Sequence, residues 1–179
     1  MKEQQVVLVN EKDEPIGVME KMEVHQKGLL HRAFSVFIFD NKGRMLLQQR
    51  AKQKYHGANL WTNACCSHPH PDANIKAAAE KRLKDELGFE ASLKKVFDFT
   101  YTAKVENDLI EHEYDHVFTG IYEGAITPDK NEVADYAYEE MPQLKQSIEQ
   151  RPDKFTSWFK IAFPKIEDWW GTREWEKTG

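Results

Sequence analysis

The run DANIKAAAEKRLKDELG, residues 72–88, decides the architecture. Ala73 to Leu87 reads as a helix: Asp72, following Pro71, serves as N-cap, and Gly88 stands where a C′ glycine belongs. Ile75, Ala79 and Leu83 recur at i, i+4 and i+8 and give the helix one core-facing stripe. Outward from it lie strands. Ala33 to Phe39 reads as a buried strand, Asp40-Asn41-Lys42-Gly43 supplies turn chemistry, and Met45 to Gln49 follows as the hairpin partner. Val6 to Val9 is a short strand before a turn at Glu11 to Pro15, with Gly17 at its end. Leu93 to Val105 and Ile110 to Tyr122 are longer strands joined by Glu106-Asn107-Asp108. The segment from Pro142 is Trp-rich and helical around Phe155 to Phe163, ending at Pro164. The expected fold is α+β, an αβα sandwich with a mixed sheet flanked by helices. Residues 1–179 are read as one domain, with a core of about 6–165 and a Trp-rich C-terminal tail.

Composition narrows the class. The chain has 179 residues, 40% of them hydrophobic and 31% charged, enough apolar material for one sizeable core. Basic residues number 25 against 30 acidic, a net charge of -5, so a general nucleic-acid binder is excluded while a small anion could still meet a local cationic cluster. The longest apolar stretch, Ala33 to Phe39, is far too short to span a bilayer and is interrupted by Ser35. The start, MKEQQVVLVNEKDE, turns acidic before a signal-peptide core develops. The only cysteines, Cys65 and Cys66, are adjacent. Their Cα atoms are about 3.8 Å apart, too close for an ordinary disulfide, which suits a reducing, cytoplasmic location.

Three clusters can carry chemistry. In Cys65-Cys66-Ser67-His68-Pro69-His70-Pro71 the prolines restrict the backbone and hold Cys66 and His68 in a fixed relation, although the run also reads as a Pro-rich loop with incidental histidines. Glu111-His112-Glu113 lies on a strand, so the two carboxylates share a face opposite His112, Tyr114 and His116. Solvated, they are an exposed strand face; turned into a pocket with His68, they are a metal site plus a base. Arg50-Ala51-Lys52-Gln53-Lys54, with Lys21 upstream, suits a phosphate or a solubilising loop. Arg82 and Glu86 stand at i, i+4, which a plain ion pair explains equally well.

Taken together, these residues resemble the type I isopentenyl-diphosphate isomerases of the Nudix superfamily, from Val6 to Trp158. The resemblance is carried by Met19-Glu20-Lys21 with His25, Leu30-His31-Arg32-Ala33-Phe34-Ser35, Gln49 to Lys54, Trp61-Thr62-Asn63-Ala64-Cys65-Cys66-Ser67-His68-Pro69 and Glu111-His112-Glu113. It implies a Nudix-like sandwich. The signature that Nudix hydrolases carry is broken here: Ser67 and Ala73 replace its glycine and first glutamate, and Lys81-Arg82-Leu83-Lys84-Asp85-Glu86-Leu87-Gly88 keeps only Asp85 and Glu86 of the acidic positions. Hydrolysis needs several carboxylates to hold metal and position water, so this departure favours leaving a diphosphate intact.

The resemblance implies conversion of isopentenyl diphosphate to dimethylallyl diphosphate by protonation and deprotonation through a carbocation-like species. Cys66 and Glu113 match the catalytic pair on opposite faces of the substrate, Tyr101 assists Glu113, and Trp158 faces the cation. His25, His31, His68, Glu111 and Glu113 match a metal site holding one Zn²⁺ or Mn²⁺. Lys21, Arg50, Lys54 and Arg82 would bind the diphosphate, and Glu86 with the backbone carbonyl of Cys66 would hold a Mg²⁺ bridging to it. Cys65, on the other side of an extended backbone, is read as structural. The implied partner is the small-molecule substrate, with no nucleic acid and no membrane, in a monomer or weak homodimer. The alternatives are a Nudix hydrolase of a nucleoside diphosphate derivative using Asp85 and Glu86, and a binding module without turnover. The tail Asp168 to Trp175 packs on the core or meets a partner.

Overall fold

The computed structural model describes residues 4–172. Strands β1 (Gln5–Val9) and β2 (Pro15–Glu20) form a hairpin. Asn10 Oδ1 closes its turn by accepting the amides of Lys12 and Glu14 at 2.9 and 3.0 Å. The chain re-enters the sheet at Pro15 and, after a register shift at Ile16, continues through Gly17, which is therefore inside an edge strand and not at the end of a turn; a proline is tolerated at the first residue of such a strand. Helix α1 (Lys21–Lys27) follows, capped by the Glu20 carboxylate and ended by Gly28 in the left-handed region at φ 65°. Strands β3 (His31–Phe39) and β4 (Met45–Arg50) flank the expected turn, but they share only the Phe39–Met45 pair before diverging. Two short strands, β5 (Trp61–Thr62) and β6 (Cys65–Ser67), precede helix α2 (Ile75–Leu87). Its N-cap is Asn74, whose side chain accepts the Ala77 amide at 3.0 Å. Asp72 lies earlier, at φ 65° in a turn closed by the Ala73 amide on the His70 carbonyl, and so does not cap.

Strands β7 (Lys94–Lys104) and β8 (Ile110–Ile121) form the long antiparallel pair. Strand β9 (Val133–Glu139) pairs with β4, and helices α3 (Met141–Gln150) and α4 (Ser157–Thr172) complete the described chain. The sheet is mixed: β3 runs parallel to β8 over nine residues and antiparallel to β1, β4 and β6. Phe34, Val36 and Ile38 of β3 enter the cluster under α2 with Ala79 and Leu83, against which Ile75 packs. Phe37 and Phe39 enter the cluster under α3 and α4 with Leu144 and Phe159. A strand buried on both faces reads as a continuous apolar run, and helices on both sides make the αβα sandwich.

Helix α4 does not end at Pro164 but passes through it. Pro164 is exposed, so the hydrogen bond it cannot make is lost at the wet face, while Phe163 and Ile166 stay buried beneath it. Trp169 and Trp170 pack on the same cluster, which assigns that part of the tail to the core and extends it past residue 165. Trp175 lies outside the described residues.

Candidate active site

Ladder register assembles the site. Glu111, Glu113 and Asp115 share the inward face of β8, all buried, while His112 turns away with Nδ1 3.1 Å from the Gly28 carbonyl. Glu113 has His31 as its neighbour on β3 and Tyr101 as its neighbour on β7. Cys66 lies opposite Ser35. Lys21 and His25 come from α1, one turn apart, so a helix of seven residues delivers both to the same wall.

The rings of His25, His31 and His68 have centroids 4.9, 5.6 and 4.9 Å apart. One ligand atom from each and one Glu113 oxygen all lie within 4.8 Å of one another. Nδ1 of His25 is 2.7 Å from the Lys21 carbonyl, and Nδ1 of His31 is 2.9 Å from the Leu29 carbonyl. Carbonyls only accept, so both Nδ1 atoms carry the hydrogen and each neutral ring keeps its lone pair on Nε2. Nε2 of His31 is buried without a hydrogen bond among the described residues, 3.4 Å from Glu113 Oε1. Three clustered imidazoles, two of them anchored through Nδ1, and a carboxylate fit a divalent transition metal. Burial opposes charge on Glu113, yet the adjoining imidazoles of His31 and His68, the latter with Nε2 2.8 Å from Oε1, hold its carboxyl well below the usual range. Burial pushes His68 down to about 3.

Glu111, the fifth residue expected around a metal, stands outside that group of four. It accepts from the Tyr101 hydroxyl at 3.1 Å and lies 3.4 Å from His56 Nε2. Tyr101 also reaches Glu113 at 2.5 Å, so one phenolic hydrogen serves two carboxylates. Burial and the neighbouring Glu113 charge push the Glu111 carboxyl above its ordinary range.

The expected cations converge on the same cleft. Lys54 pairs with Glu132 at 2.6 Å, and Arg82 pairs with Glu86 at 3.1 Å and Glu132 at 3.3 Å. Arg50 donates to the His56 carbonyl and lies 5.1 Å over the Trp158 ring. Burial, then the charge of Lys54, lowers Lys21 from its ordinary value. Gly57, at φ 63°, lets the 55–57 turn cross closely over Arg50 and Trp158; an added Cβ would sit 3.1 Å from Arg50 Nε. The cleft, of about 670 Å³ and partly open, is lined by Lys21, His25, Arg50, Lys54, Cys66, His68, Arg82, Glu86, Tyr101, Glu111, Glu113 and Trp158. His31 alone of the expected residues is absent from the wall; it is fully buried behind the others.

The NUDIX domain family model matches residues 29–159. Over 169 residues the chain is 48% identical to isopentenyl-diphosphate Delta-isomerase 2 of Photorhabdus laumondii subsp. laumondii, covering 92% of this chain and 96% of that one. It is 45% identical over 166 residues to the isopentenyl-diphosphate Delta-isomerase of Pectobacterium atrosepticum, covering 93% of each. The chain belongs to the isopentenyl-diphosphate Delta-isomerase family. Among solved structures, a Deinococcus radiodurans protein superposes with a TM-score of 0.74 at 14% identity, over 90% of this chain and 98% of that one. The MutT protein of Methanosarcina mazei Go1 gives 0.65 at 14% identity, over 80% and 96%. At such identities the likeness shows the Nudix fold alone.

The isomerase-family cleft also contains residues that the sequence alone did not single out. Gln4, Tyr55 and His56 line it, and Glu132 neutralises two of its cations. Glu132 carries no local signal, since its partners lie 78 and 50 residues away along the chain. His56 follows the Lys/Arg loop directly and was legible only as one histidine of seven. Among the described residues no helix is long and apolar enough to cross a membrane.

Proposed function

We propose that this cleft moves the double bond of isopentenyl diphosphate to give dimethylallyl diphosphate by one proton addition and one proton removal. The curated relatives are named for the Delta-isomerisation of isopentenyl diphosphate, and this chain is an isomerase of that diphosphate. What carries the reading of the site is a single juxtaposition. One cleft is walled by the Cys66 thiol, the Glu113–Tyr101 pair, the Trp158 ring and four cations.

An alkene is a weak base, so its protonation needs a positioned acid, a base for the departing proton, and a surface that tolerates a cation while excluding water. In our reading Cys66 and Glu113 face the substrate from opposite sides. Tyr101 holds Glu113 and Glu111 in place, and its hydroxyl allows a proton to pass between the two carboxylates. Trp158 offers a π face to the positive charge and no nucleophile. Lys21, Arg50, Lys54 and Arg82 clamp the diphosphate, which would displace Glu132 from Lys54 and Arg82.

His25, His31, His68 and Glu113, with Glu111 completing the set, would hold a Zn²⁺ or Mn²⁺. Such a cation supplies fixed positive charge that keeps Glu113 oriented. Glu86 and the Cys66 carbonyl would hold a Mg²⁺ beside the diphosphate. A cytoplasmic location, where thiols stay reduced, and a monomer or weak homodimer complete the proposal.

Proton NMR of isopentenyl diphosphate in deuterated water with Mg²⁺ tests it. Dimethylallyl diphosphate carrying deuterium should appear, and should fail to appear after chelation. Released phosphate with the alkene unchanged would assign a hydrolase instead, and untouched substrate beside bound metal would assign a binding module.

A further inference from the structure

Cys66 is gripped from two sides by groups the scheme above leaves unused. Its Sγ lies 3.2 Å from Asn63 Oδ1 and 3.4 Å from Ser35 Oγ. Both amide hydrogens of Asn63 are engaged by the carbonyls of Val36 and Cys65, each at 3.0 Å. Oδ1 is therefore the acceptor and the thiol the donor. The same oxygen accepts the Thr62 hydroxyl at 3.0 Å. Thr62 accepts from Thr156 at 3.0 Å, and Thr156 accepts from the Phe159 amide at 3.3 Å. One chain of donors thus runs from the first turn of α4, which carries Trp158, to Asn63 Oδ1, on which the Cys66 thiol converges from the other side. On the other side the Ser35 hydrogen goes to Asp115 Oδ2 at 2.7 Å, so the hydroxyl oxygen is a further acceptor that shares the single thiol hydrogen with Asn63.

These polar groups are buried: Thr156 is 0% exposed, Asn63 1%, Asp115 2%, Thr62 3% and Ser35 5%. Apolar residues of the same shape would fill the sites without any need for partners, and valine is nearly isosteric with threonine. The network ends on a reacting group, and that is where its specificity is spent. A cysteine side chain has three staggered χ1 positions, and two fixed oxygens that share its one hydrogen select one of them. Proton transfer to or from carbon is sensitive to such placement at the ångström scale.

We propose that Asn63 and Ser35 are positioning residues for Cys66, and that Thr62 and Thr156 tie this cradle to α4 so that the thiol and the Trp158 ring keep one geometry around the substrate. The inference rests on Cys66 being a reacting group. The test combines steady-state kinetics of Thr62→Val, Thr62→Ser and Ser35→Ala with the infrared S–H stretch of Cys66 in the substrate-free protein, taken as a difference against Cys66→Ala. Thr62→Val and Ser35→Ala should lower kcat by about 10-fold or more with KM within about twofold. Thr62→Ser should restore kcat, and the S–H band should move in both impaired variants. Folded variants with kcat within about twofold of the parent would overturn the cradle, as would reduced kcat with an unmoved S–H band or without rescue by Thr62→Ser. If Ser35→Ala fails to fold, the Thr62 pair decides. An active Cys66→Ala would overturn the reading of Cys66 itself, whereas an inactive Cys66→Ala beside an unaffected Thr62→Val would overturn only the cradle.

Discussion

In the extended segment Cys65–Ser67 successive side chains leave opposite faces of the sheet, so Cys65 is 1% exposed in the core under α2 while Cys66 lines the cleft. Burial raises both thiols above their ordinary range, so both rest protonated. The two positions should therefore respond differently to substitution. Cys66→Ala should fold with its melting midpoint little changed and show no turnover. Cys65→Ser should keep most of its kcat but lose about 1–3 kcal/mol of stability, because a hydroxyl enters an apolar cluster. Kinetics and thermal melts on the pair decide it, and an inactive Cys65→Ser beside an active Cys66→Ser would exchange the two roles. This alternation was legible in the sequence. The face that Glu111 and Glu113 present was not legible from periodicity, which defines two faces without saying which one is inside; the family resemblance implied the inward one, and the His31–Glu113 and Tyr101–Glu113 neighbours in the ladder place it there. His56 and Glu132 escaped for the same reason, since their relevance lies in partners distant in the chain.

Elements with a long apolar period and strong punctuation were readable, and short ones were not. Helix α2 has its stripe and Gly88, but Asn74 displaced Asp72 as cap once the Pro71 turn put Asp72 at positive φ. Helix α1 has seven residues and too few apolar positions to show a stripe, although it supplies Lys21 and His25. Pro164 looked like a stop because its missing amide was weighed without the packing of Phe163 and Ile166 that carries α4 onward. The turn between β3 and β4 was legible, and it hangs on Asp40. This buried carboxylate accepts the Lys42 amide at 3.0 Å, the Arg44 amide at 2.9 Å and Arg44 Nε at 2.6 Å. Burial alone would raise its pKa, but those hydrogen bonds bring it below the ordinary value of 3.8. A depressed folded-state pKa contributes stability above 3.8 that is lost as pH falls through the folded value, because the unfolded chain binds the proton first. Asp40→Ala should cost about 2–3 kcal/mol at neutral pH, and the difference from the parent should narrow in strongly acidic urea melts. An unchanged difference across that range would remove Asp40 from the account of acid sensitivity.

Across the whole molecule the set proposed to hold a metal joins segments that are far apart in the chain: His25 from α1, His31 from β3, His68 after β6 and Glu113 from β8. A net charge of -5 gave no hint that one cleft would gather Lys21, Arg50, Lys54 and Arg82, because charge counts carry no geometry. The same convergence has a thermodynamic consequence. Anything that binds the folded site and not the unfolded chain stabilises by mass action, by about 2.7 kcal/mol when its free concentration is 100 times its dissociation constant. For a domain of this size that corresponds to a rise in melting midpoint of about 5–10 °C. Chelator-treated protein should therefore melt lower than the same protein resupplied with Zn²⁺ or Mn²⁺, without substrate present. His31→Ala should abolish the difference, whereas His112→Ala, on the outward face of the same strand as Glu113, should keep it. A midpoint indifferent to metal in the parent protein would mean that the four residues hold one another through hydrogen bonds and protons alone, and the assignment of a metal to them would fall.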